Sequence, residues 1–346
     1  MFCRELPLLF FTLHLSVFAM DVKIKNTIDS TVQRLLTSNI EKEIKISCVS
    51  KENAAKFETY HLKYDAEMEN YKFKFNQSEM GKIKELIGKR EKISLFFLGY
   101  EEQLSEPSGK EFTIEKAQMK NTNACSCVVS YDFLVFPLFK MLHYNWVLET
   151  RLPKVIKMTT AFIQNIVDSN ALKINLSSVY LSGYSLGAHI VGSIGLKLKR
   201  IYNGQMVPVI WAFEPPILGF HPDKVKPRRI QKGDGQKVVL FRTSQYGVQT
   251  STADVEIVLN EGKNQPGCAA SGIVDKILCD HKSAIVLREL IIQRSKKLTL
   301  SNGIPCAYMN KTSIGFILEI TNPTPIKDGT YYIHTGKLIK FSHLGK

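Results

Sequence analysis

The sequence predicts an α/β protein: a single domain with a mostly parallel central sheet and helices on both faces. Two observations support this class. Short apolar runs typical of buried strands alternate along the chain with stretches of helical periodicity. No internal repeat and no linker rich in Pro, Gly or Ser divides the 346 residues. Such alternation places consecutive strands side by side, with the connecting helices packed on the sheet.

The first part of the chain is predicted to contain one helix followed by strands. Residues 31–46 could form a helix within a polar, Lys-rich segment. Residues 57–64 and 71–75 follow a β-like rhythm on either side of a polar bend, which predicts a hairpin. Residues 93–97 and 127–133 are short apolar runs, typical of strands in a sheet centre.

Helices and strands alternate in the rest of the chain. A helix is predicted from about Pro153, which suits a first helical turn, because apolar or small side chains recur every three or four positions after it. A strand at 179–182 precedes a glycine turn and a helix that ends at about 196. The other predicted elements are strands at 207–213, 237–243, 314–320 and 330–334 and a helix at 280–293.

The N-terminus predicts export. Arg4 precedes an apolar stretch, residues 6–19, in which Val17 and Ala19 occupy positions −3 and −1 of a signal-peptidase site. The stretch is shorter than the roughly 20 residues that span a bilayer. We interpret residues 1–19 as a cleaved signal peptide, with a buried N-terminal helix as the alternative. The mature protein is therefore expected to be secreted and extracellular.

The predicted domain organisation follows from this cleavage. Residues 20–55 are an N-terminal segment of uncertain structure, and residues 56–346 are the α/β domain. The mature chain keeps an even number of cysteines, which favours disulfides in a secreted protein: Cys48, Cys125, Cys127, Cys268, Cys279 and Cys306. The glycosylation sequons at Asn76, Asn175 and Asn310 are compatible with export.

The charge balance indicates an anionic partner. Lys and Arg total 46 against 32 Asp and Glu, a formal net charge of +14. Nucleic acid and an anionic lipid surface are the two candidates. The basic residues are spread along the chain without a long block. The balance therefore favours a lipid surface, and we expect no nucleic-acid partner.

The most informative segment is a G-x-S-x-G turn at residues 183–187, between an apolar strand and a helix. A serine at the apex of such a turn has a strained backbone, and side chains two positions away on either side would clash. Gly183 and Gly187 relieve that crowding. The helix that follows directs its N-terminus at the serine, which favours developing negative charge there. Ser185 is therefore a candidate nucleophile.

The segment G-Y-S-L-G-A-H at 183–189 resembles the signature of the pancreatic-lipase family, usually G-H-S-L-G-A-H. The resemblance extends from about Phe57 to the last strand and is strong also at 262–268 and at 279–281. It implies the α/β-hydrolase fold. The family contains triacylglycerol lipases, insect phospholipases A1 and catalytically inactive yolk proteins.

A serine nucleophile needs a base, and the base needs a carboxylate. The histidines that follow Ser185 in the sequence are His189, His221, His281, His334 and His343. His189 lies one helical turn beyond Ser185, which favours a structural role. His281 matches the Cys-x-His motif of the family and is the expected base.

The expected acid is Glu214, at the end of the strand that follows the nucleophile helix. The family has Asp at the matching position, and one extra methylene moves a carboxylate by about 1.5 Å. Glutamate serves as the acid in other α/β-hydrolases. A surface glutamate beside a Pro-Pro turn is the alternative, with Asp223 and Asp234 as replacement acids.

Two backbone N–H groups are expected to form the oxyanion hole. One is that of Leu186, directly after the nucleophile. The resemblance implies Tyr100 as the other, because it follows Leu98-Gly99 where the family has His-Gly. Leu98 is one departure from the family pattern, and Arg242, where the family usually has His, is another.

The family encloses a lid between the Gly-Cys and Cys-x-His motifs. The resemblance therefore implies a disulfide between Cys268 and Cys279 around residues 269–278. Members with a lid this short are mostly phospholipases A1, and insect members resemble this chain most in lid length. The chain ends soon after His281, so neither the colipase-binding C-terminal domain nor colipase is expected.

The expected function is that of a secreted serine carboxylic-ester hydrolase acting on lipid, a phospholipase A1 or lipase with a Ser-His-Glu triad. It would require no metal and no organic cofactor. It would touch a membrane or micelle surface peripherally. The alternative is a catalytically weak or inactive lipase-like protein that binds or stores lipid. The natural lipid, the sn position, the remaining cysteine pairing and the oligomeric state are not predicted by the sequence.

Overall fold

The strands of this protein lie in one sheet of mostly parallel strands. The computed structural model describes residues 43–70, 73–104, 106–131, 140–220, 227–249, 252–268, 272–293, 301–302 and 327–333. The strands in these ranges are β1 (Glu43–Val49), β2 (Glu58–Lys63), β3 (Ile93–Phe97), β4 (Cys125–Ser130), β5 (Val179–Tyr184), β6 (Val209–Phe213), β7 (Lys237–Arg242), β8 (Val255–Leu259), β9 (Ser301–Asn302) and β10 (Gly329–Ile333).

The described strands form a ten-stranded sheet in the order β2-β1-β4-β3-β5-β6-β7-β8-β10-β9. The pairs from β4 through β3, β5, β6, β7 and β8 to β10 are parallel. β1 and β9 pair antiparallel with β4 and β10. Every residue of the central strands β3, β5 and β6 is buried, as expected for parallel strands covered on both faces.

Helices cover both faces of the sheet. They are α1 (Gln77–Ile87), α2 (Lys110–Thr122), α3 (Lys140–Trp146), α4 (Leu152–Val167), α5 (Leu186–Ile201) and α6 (Ile273–Ile292). Successive residues of β3 alternate between two cores. Leu95 and Phe97 pack in one with α1, α4 and α5, and Phe96 and Leu98 pack in the other with α2 and α6. The predicted fold class is thus confirmed.

Two predictions for the first part of the chain are wrong. The helix expected over residues 31–46 is contradicted by its last residues, which form β1. That strand buries Ile44, Ile46 and Cys48 at a spacing of two, a period that indicates a strand and that the helix prediction overlooked. The expected hairpin is also absent, because residues 73–75 lie in no strand and β2 lies beside β1.

Every element predicted from residue 93 onward that falls on described residues is present, although most of the ends shift by a few residues. The last described helix begins at Ile273, not at 280. Helices α1, α2 and α3 and strands β8 and β9 were not predicted. Helix α2 has a polar sequence with a weak apolar pattern, which explains the omission. The strand predicted at 314–320 lies outside the described residues.

The chain divides into two units by its contacts. One is residues 44–346, and the other is residues 1–43, of which only Glu43 is described. The predicted signal peptide, residues 1–19, therefore lies outside the described residues. None of the described helices combines the length and the hydropathy that a bilayer crossing requires.

A buried disulfide joins β1 to β4. Cys48 lies directly opposite Cys127 in the antiparallel register, and the two sulfurs are bonded. Cys125 is a free, buried thiol whose Sγ lies 3.6 Å from that of Cys127. Within the described ranges, these three sulfurs are the only group of His, Cys, Asp or Glu ligands close enough to share a metal ion. Two of these sulfurs, those of Cys48 and Cys127, are bonded to each other in the disulfide.

His189, on helix α5, forms hydrogen bonds with two loops, at Pro216 and at Ile230. The side chain is fully buried and stacks on Phe220 at 3.6 Å between ring centroids. Its Nε2–H donates to the Pro216 carbonyl at 2.8 Å, and its Nδ1 accepts from the Ile230 N–H at 3.1 Å. This pattern requires the neutral ring. Burial accordingly lowers the pKa of His189 to about 3.

We expect acid to destabilise the protein partly through this ring. Between pH 6.5, the ordinary His pKa, and pH 3, the unfolded chain binds a proton at His189 that the folded chain excludes. The contribution of His189 to stability is thus present above pH 6.5 and is lost as pH falls, at up to about 1.4 kcal/mol per pH unit. Urea unfolding between pH 7 and pH 4 should show a shallower pH dependence for His189→Gln than for the wild type. Equal slopes would contradict this.

Candidate active site

Ser185 stands on a strained turn between β5 and α5. Its φ is 53° and its ψ is −122°, a conformation that costs energy for a residue with a side chain. A Cβ on Gly183 would lie 2.7 Å from the Ala188 nitrogen, and one on Gly187 would lie 2.8 Å from the Phe97 carbonyl carbon. Neither position accepts a side chain, as the sequence predicted. The turn therefore holds the Ser185 hydroxyl at the carboxyl end of the sheet.

His281 lies within hydrogen-bond distance of this serine. Its Nε2 is 2.9 Å from Ser185 Oγ, although 96 positions separate the two residues. The ring packs between two tyrosines, with centroids 5.0 Å from Tyr184 and 5.0 Å from Tyr246. These rings limit the rotation of the imidazole. The structure thus brings together the expected nucleophile and the expected base.

Glu214 lies on the opposite side of the imidazole. It follows β6, is fully buried and has a φ of 52°. Its Oε1 is 3.8 Å from His281 Nδ1, an ion-pair distance that is longer than a hydrogen bond. Among the described residues, Nδ1 has no hydrogen-bond partner. The expected acid is therefore beside the expected base without a direct hydrogen bond to it.

Four donors hold the Glu214 carboxylate. The N–H and the Oγ1–H of Thr243 donate to Oε2, the hydroxyl at 2.9 Å. The N–H of Ser244 donates to Oε1 at 3.1 Å, and its hydroxyl donates to the same oxygen at 2.6 Å. These four hydrogen bonds fix the position of both carboxylate oxygens. Sequence analysis missed both residues, although their position directly after β7, the neighbour of β6, was a usable signal.

The replacement acids and the other histidines do not reach this site where they are described. Asp234 forms two hydrogen bonds with Arg228 and accepts the Gln231 N–H. Burial raises the pKa of the Asp234 carboxyl, and the Arg228 charge opposes that rise. His189 is engaged by its own carbonyl and N–H partners. The remaining candidates lie outside the described residues: Asp223, His221, His334 and His343.

The loop after β3 packs against the nucleophile turn. A Cβ on Gly99 would lie 3.2 Å from Ser185 Cβ and 3.1 Å from Tyr184 Cδ1. Glycine at this position therefore lets the loop lie directly against the serine. Tyr100 follows Gly99 in this loop, and Leu186 begins α5, so its N–H has no partner within the helix. Both expected oxyanion donors thus belong to the two segments that meet beside Ser185.

Glu102 fixes the same loop and was not predicted. Its Oε2 accepts the Gly99 N–H at 3.0 Å, and its own N–H donates to the Gly99 carbonyl at 3.4 Å. Burial raises the pKa of the Glu102 carboxyl, while the Gly99 hydrogen bond and the positive charge of Lys282 oppose the rise. The available signal in the sequence was a carboxylate three residues after Gly99, close enough along the chain to accept the Gly99 N–H.

The disulfide implied by the resemblance is present between Cys268 and Cys279. Cys279 lies inside α6, so much of the enclosed segment is helical rather than a free loop. Asp280 joins this helix to the preceding loop by accepting the N–H groups of Asn264 and Gln265. Apolar side chains lie at the start of α6. Three of them are exposed: Ile273 at 68%, Val274 at 65% and Leu278 at 46%.

The two departures from the family pattern lie in ordinary surroundings. Arg242 pairs with Glu256 at 3.0 Å and reaches Gln249 at 3.3 Å. Leu98 is buried in the core that faces α2 and α6, and its carbonyl accepts the Tyr131 hydroxyl at 2.7 Å. These contacts account for both side chains without a role in catalysis.

Comparison with known proteins gives relatives among lipases and phospholipases. A phospholipase A1 of Solenopsis invicta is 33% identical over 118 residues, which is 34% of this chain and 32% of that protein. Lipase member H of Xenopus tropicalis is 27% identical over 215 residues, 59% of this chain and 43% of that protein. This chain therefore spans less than half the length of either relative.

A solved esterase from the archaeon Pyrobaculum calidifontis has a TM-score of 0.33 and 10% identity, over 79% of this chain and 91% of its own. That likeness is too weak to carry any argument. The family comparison is decisive, because the Lipase family model matches residues 31–336. With that match over most of its length, and with the G-x-S-x-G turn inside it, this chain belongs to the pancreatic lipase family.

Proposed function

We propose that this chain is a secreted carboxylic-ester hydrolase that acts on lipids through a Ser-His-Glu triad. The observation that carries the proposal is the 2.9 Å separation of Ser185 Oγ and His281 Nε2. A serine hydroxyl is a weak nucleophile near neutral pH until a base takes its proton. Here His281, on α6, lies within reach of a serine on a turn at the carboxyl end of the parallel strands, where open α/β sheets bind ligands.

In the proposed reaction, Ser185 Oγ attacks the ester carbonyl carbon while His281 Nε2 takes its proton. The N–H groups of Leu186 and Tyr100 donate to the oxygen that becomes negative in the tetrahedral intermediate. His281 then gives the proton to the departing alcohol, and an acyl-serine remains. Water, deprotonated by His281, attacks that ester and releases the fatty acid.

Glu214 stabilises the imidazolium that forms during this transfer. The ring becomes positive only when it takes the serine proton, and the carboxylate faces its Nδ1 at 3.8 Å. Attraction between the two charges strengthens in the buried site. Thr243 and Ser244 hold this carboxylate with four hydrogen bonds, so that it keeps its place beside the ring.

A phospholipid is the favoured substrate. The segment between Cys268 and Cys279 is short, and we expect a lid this short to leave room for a polar head group. Exposed Ile273, Val274 and Leu278 offer apolar contact at the same segment, and the net charge of +14 favours anionic lipid surfaces. The protein from Solenopsis invicta is named a phospholipase A1, which supports the same substrate class.

Secretion is part of the proposal. Two disulfides among the described residues are typical of an oxidising compartment. Asn76 and Asn175 are exposed, so both sequons are open to glycosylation.

One observation favours a second candidate function, that of a catalytically weak lipid-binding protein. His281 Nδ1 lacks a hydrogen-bond partner among the described residues, whereas in a triad the Nδ1–H ordinarily donates to the carboxylate of the acid. The retained serine and base favour the enzyme.

The direct test is hydrolysis of phosphatidylcholine vesicles by purified mature protein. We expect the wild type to release fatty acid and Ser185→Ala to lower kcat by at least about 10³-fold, because the nucleophile is gone. Thermal unfolding of both proteins controls for folding. Release at equal rates by the two proteins would refute the proposal, and a wild type that binds vesicles without releasing fatty acid would establish the lipid-binding alternative.

The exposed start of α6 gives a test of interfacial binding. We expect the double variant Ile273→Ser and Val274→Ser to bind vesicles at least about tenfold more weakly, because each buried aliphatic side chain contributes about 1.5–3 kcal/mol. Its hydrolysis of a water-soluble short-chain ester should match the wild type. Unchanged vesicle binding in sedimentation assays would contradict this contact, and a loss on the soluble ester would place the two side chains in the reaction itself.

A further inference from the structure

Gly247 faces the side chain of Glu214 at the closest range. A Cβ on Gly247 would lie 2.8 Å from Glu214 Cδ, nearer still to Oε1 and 3.3 Å from Oε2. The φ of Gly247 lies outside the left-handed region, so its backbone does not require glycine. What requires glycine at this position is the space that the glutamate carboxyl occupies.

The backbone around Gly247 cannot retreat from this contact. Gly247 bridges Pro216 in an antiparallel pair. On either side of that bridge, the Val248 N–H donates to the Pro215 carbonyl at 2.8 Å and the Ile217 N–H donates to the Tyr246 carbonyl at 3.0 Å. The two hydrogen bonds tie this segment to the residues that directly follow Glu214.

The carboxylate cannot retreat either. Thr243 and Ser244 hold both of its oxygens, and the Ser244 hydroxyl also accepts the Tyr246 N–H at 3.0 Å. A side chain on Gly247 would therefore break these hydrogen bonds or move the carboxylate from its place 3.8 Å from His281 Nδ1. An aspartate, shorter by one methylene, would withdraw by about 1.5 Å and leave that volume empty.

We propose that Gly247 is a positioning residue matched to Glu214: its missing side chain admits the longer acid and keeps the carboxylate aimed at His281. The inference rests on the proposed function for its catalytic consequence. Gly247 acts through Glu214, which meets the reacting base and not the substrate. Its substitution should therefore lower kcat and leave KM nearly unchanged.

The test is a double-mutant cycle of Gly247→Ala and Glu214→Asp on the full chain. With Glu214 present, Gly247→Ala should lower kcat on a soluble ester at least about 100-fold, with KM changed less than about threefold. In the Glu214→Asp background, the same substitution should cost less than about threefold, because the shorter acid has left the space. An equal cost in both backgrounds, or no cost beside Glu214, would overturn the inference.

The same cycle is read in urea unfolding, which needs no catalysis. Gly247→Ala should raise the unfolding equilibrium constant at least about tenfold beside Glu214 and less than about threefold in the Glu214→Asp background. The two substitutions could be coupled in the unfolding constant but not in kcat. That result would overturn the positioning role and show only that Gly247 and Glu214 fit each other sterically. If Ser185→Ala does not change hydrolysis, the proposed function is wrong. The unfolding cycle would still show whether Gly247 and Glu214 are sterically matched.

Gly81→Ala is the matched control. Gly81 lies in α1, its φ is outside the left-handed region, and a Cβ there would meet no atom within 4 Å. We expect wild-type kcat and an unfolding constant equal to or below that of the wild type, because alanine favours a helix more than glycine does. A loss of kcat in Gly81→Ala would show that any glycine substitution impairs the protein, and would remove the support from the cycle.

Discussion

The strained backbone of Ser185 is the constraint on which the rest of the site depends. A residue with a φ of 53° persists only where its surroundings determine it. Gly183 and Gly187 supply those surroundings by letting α5 approach the end of β3, with Phe97 in close contact. Tertiary packing of the sheet therefore maintains the strain, and the serine hydroxyl gains a fixed position that a relaxed loop would not give.

Parallel strands explain how distant residues meet at that hydroxyl. β3, β5, β6 and β7 are neighbours in the sheet and end at the same edge. Tyr100, Ser185, Glu214 and Thr243 follow these four ends. Helix α6 adds His281 from the face that it shares with α2. The site is thus the sum of several strand ends, each of which carries one part of the chemistry.

The sequence predicted the parts of this site that a local pattern marks. Ser185 lies in a turn whose glycines have a steric cause, and His281 lies in a motif that the family resemblance supplied. The position of Thr243 directly after a strand was a usable signal, but its hydrogen bonds to Glu214 and the space left by Gly247 are contacts between separate segments of the chain. The strand β1 is a different case, because its apolar residues alternate with polar ones and that spacing indicates a strand. Patterns along the chain predict helices, strands and turns, whereas the residues that hold a catalytic side chain in place are determined by tertiary contacts.

The central claim is that His281 activates Ser185. The most direct measurement is the rate of covalent labelling by a fluorophosphonate, with the modified residue identified by peptide mapping. The account predicts labelling at Ser185 in the wild type and a rate at least about 100-fold lower in His281→Ala, because the hydrogen-bonded imidazole that takes the proton is gone. A wild type that stays unlabelled, or a His281→Ala variant labelled at the same rate, would contradict it.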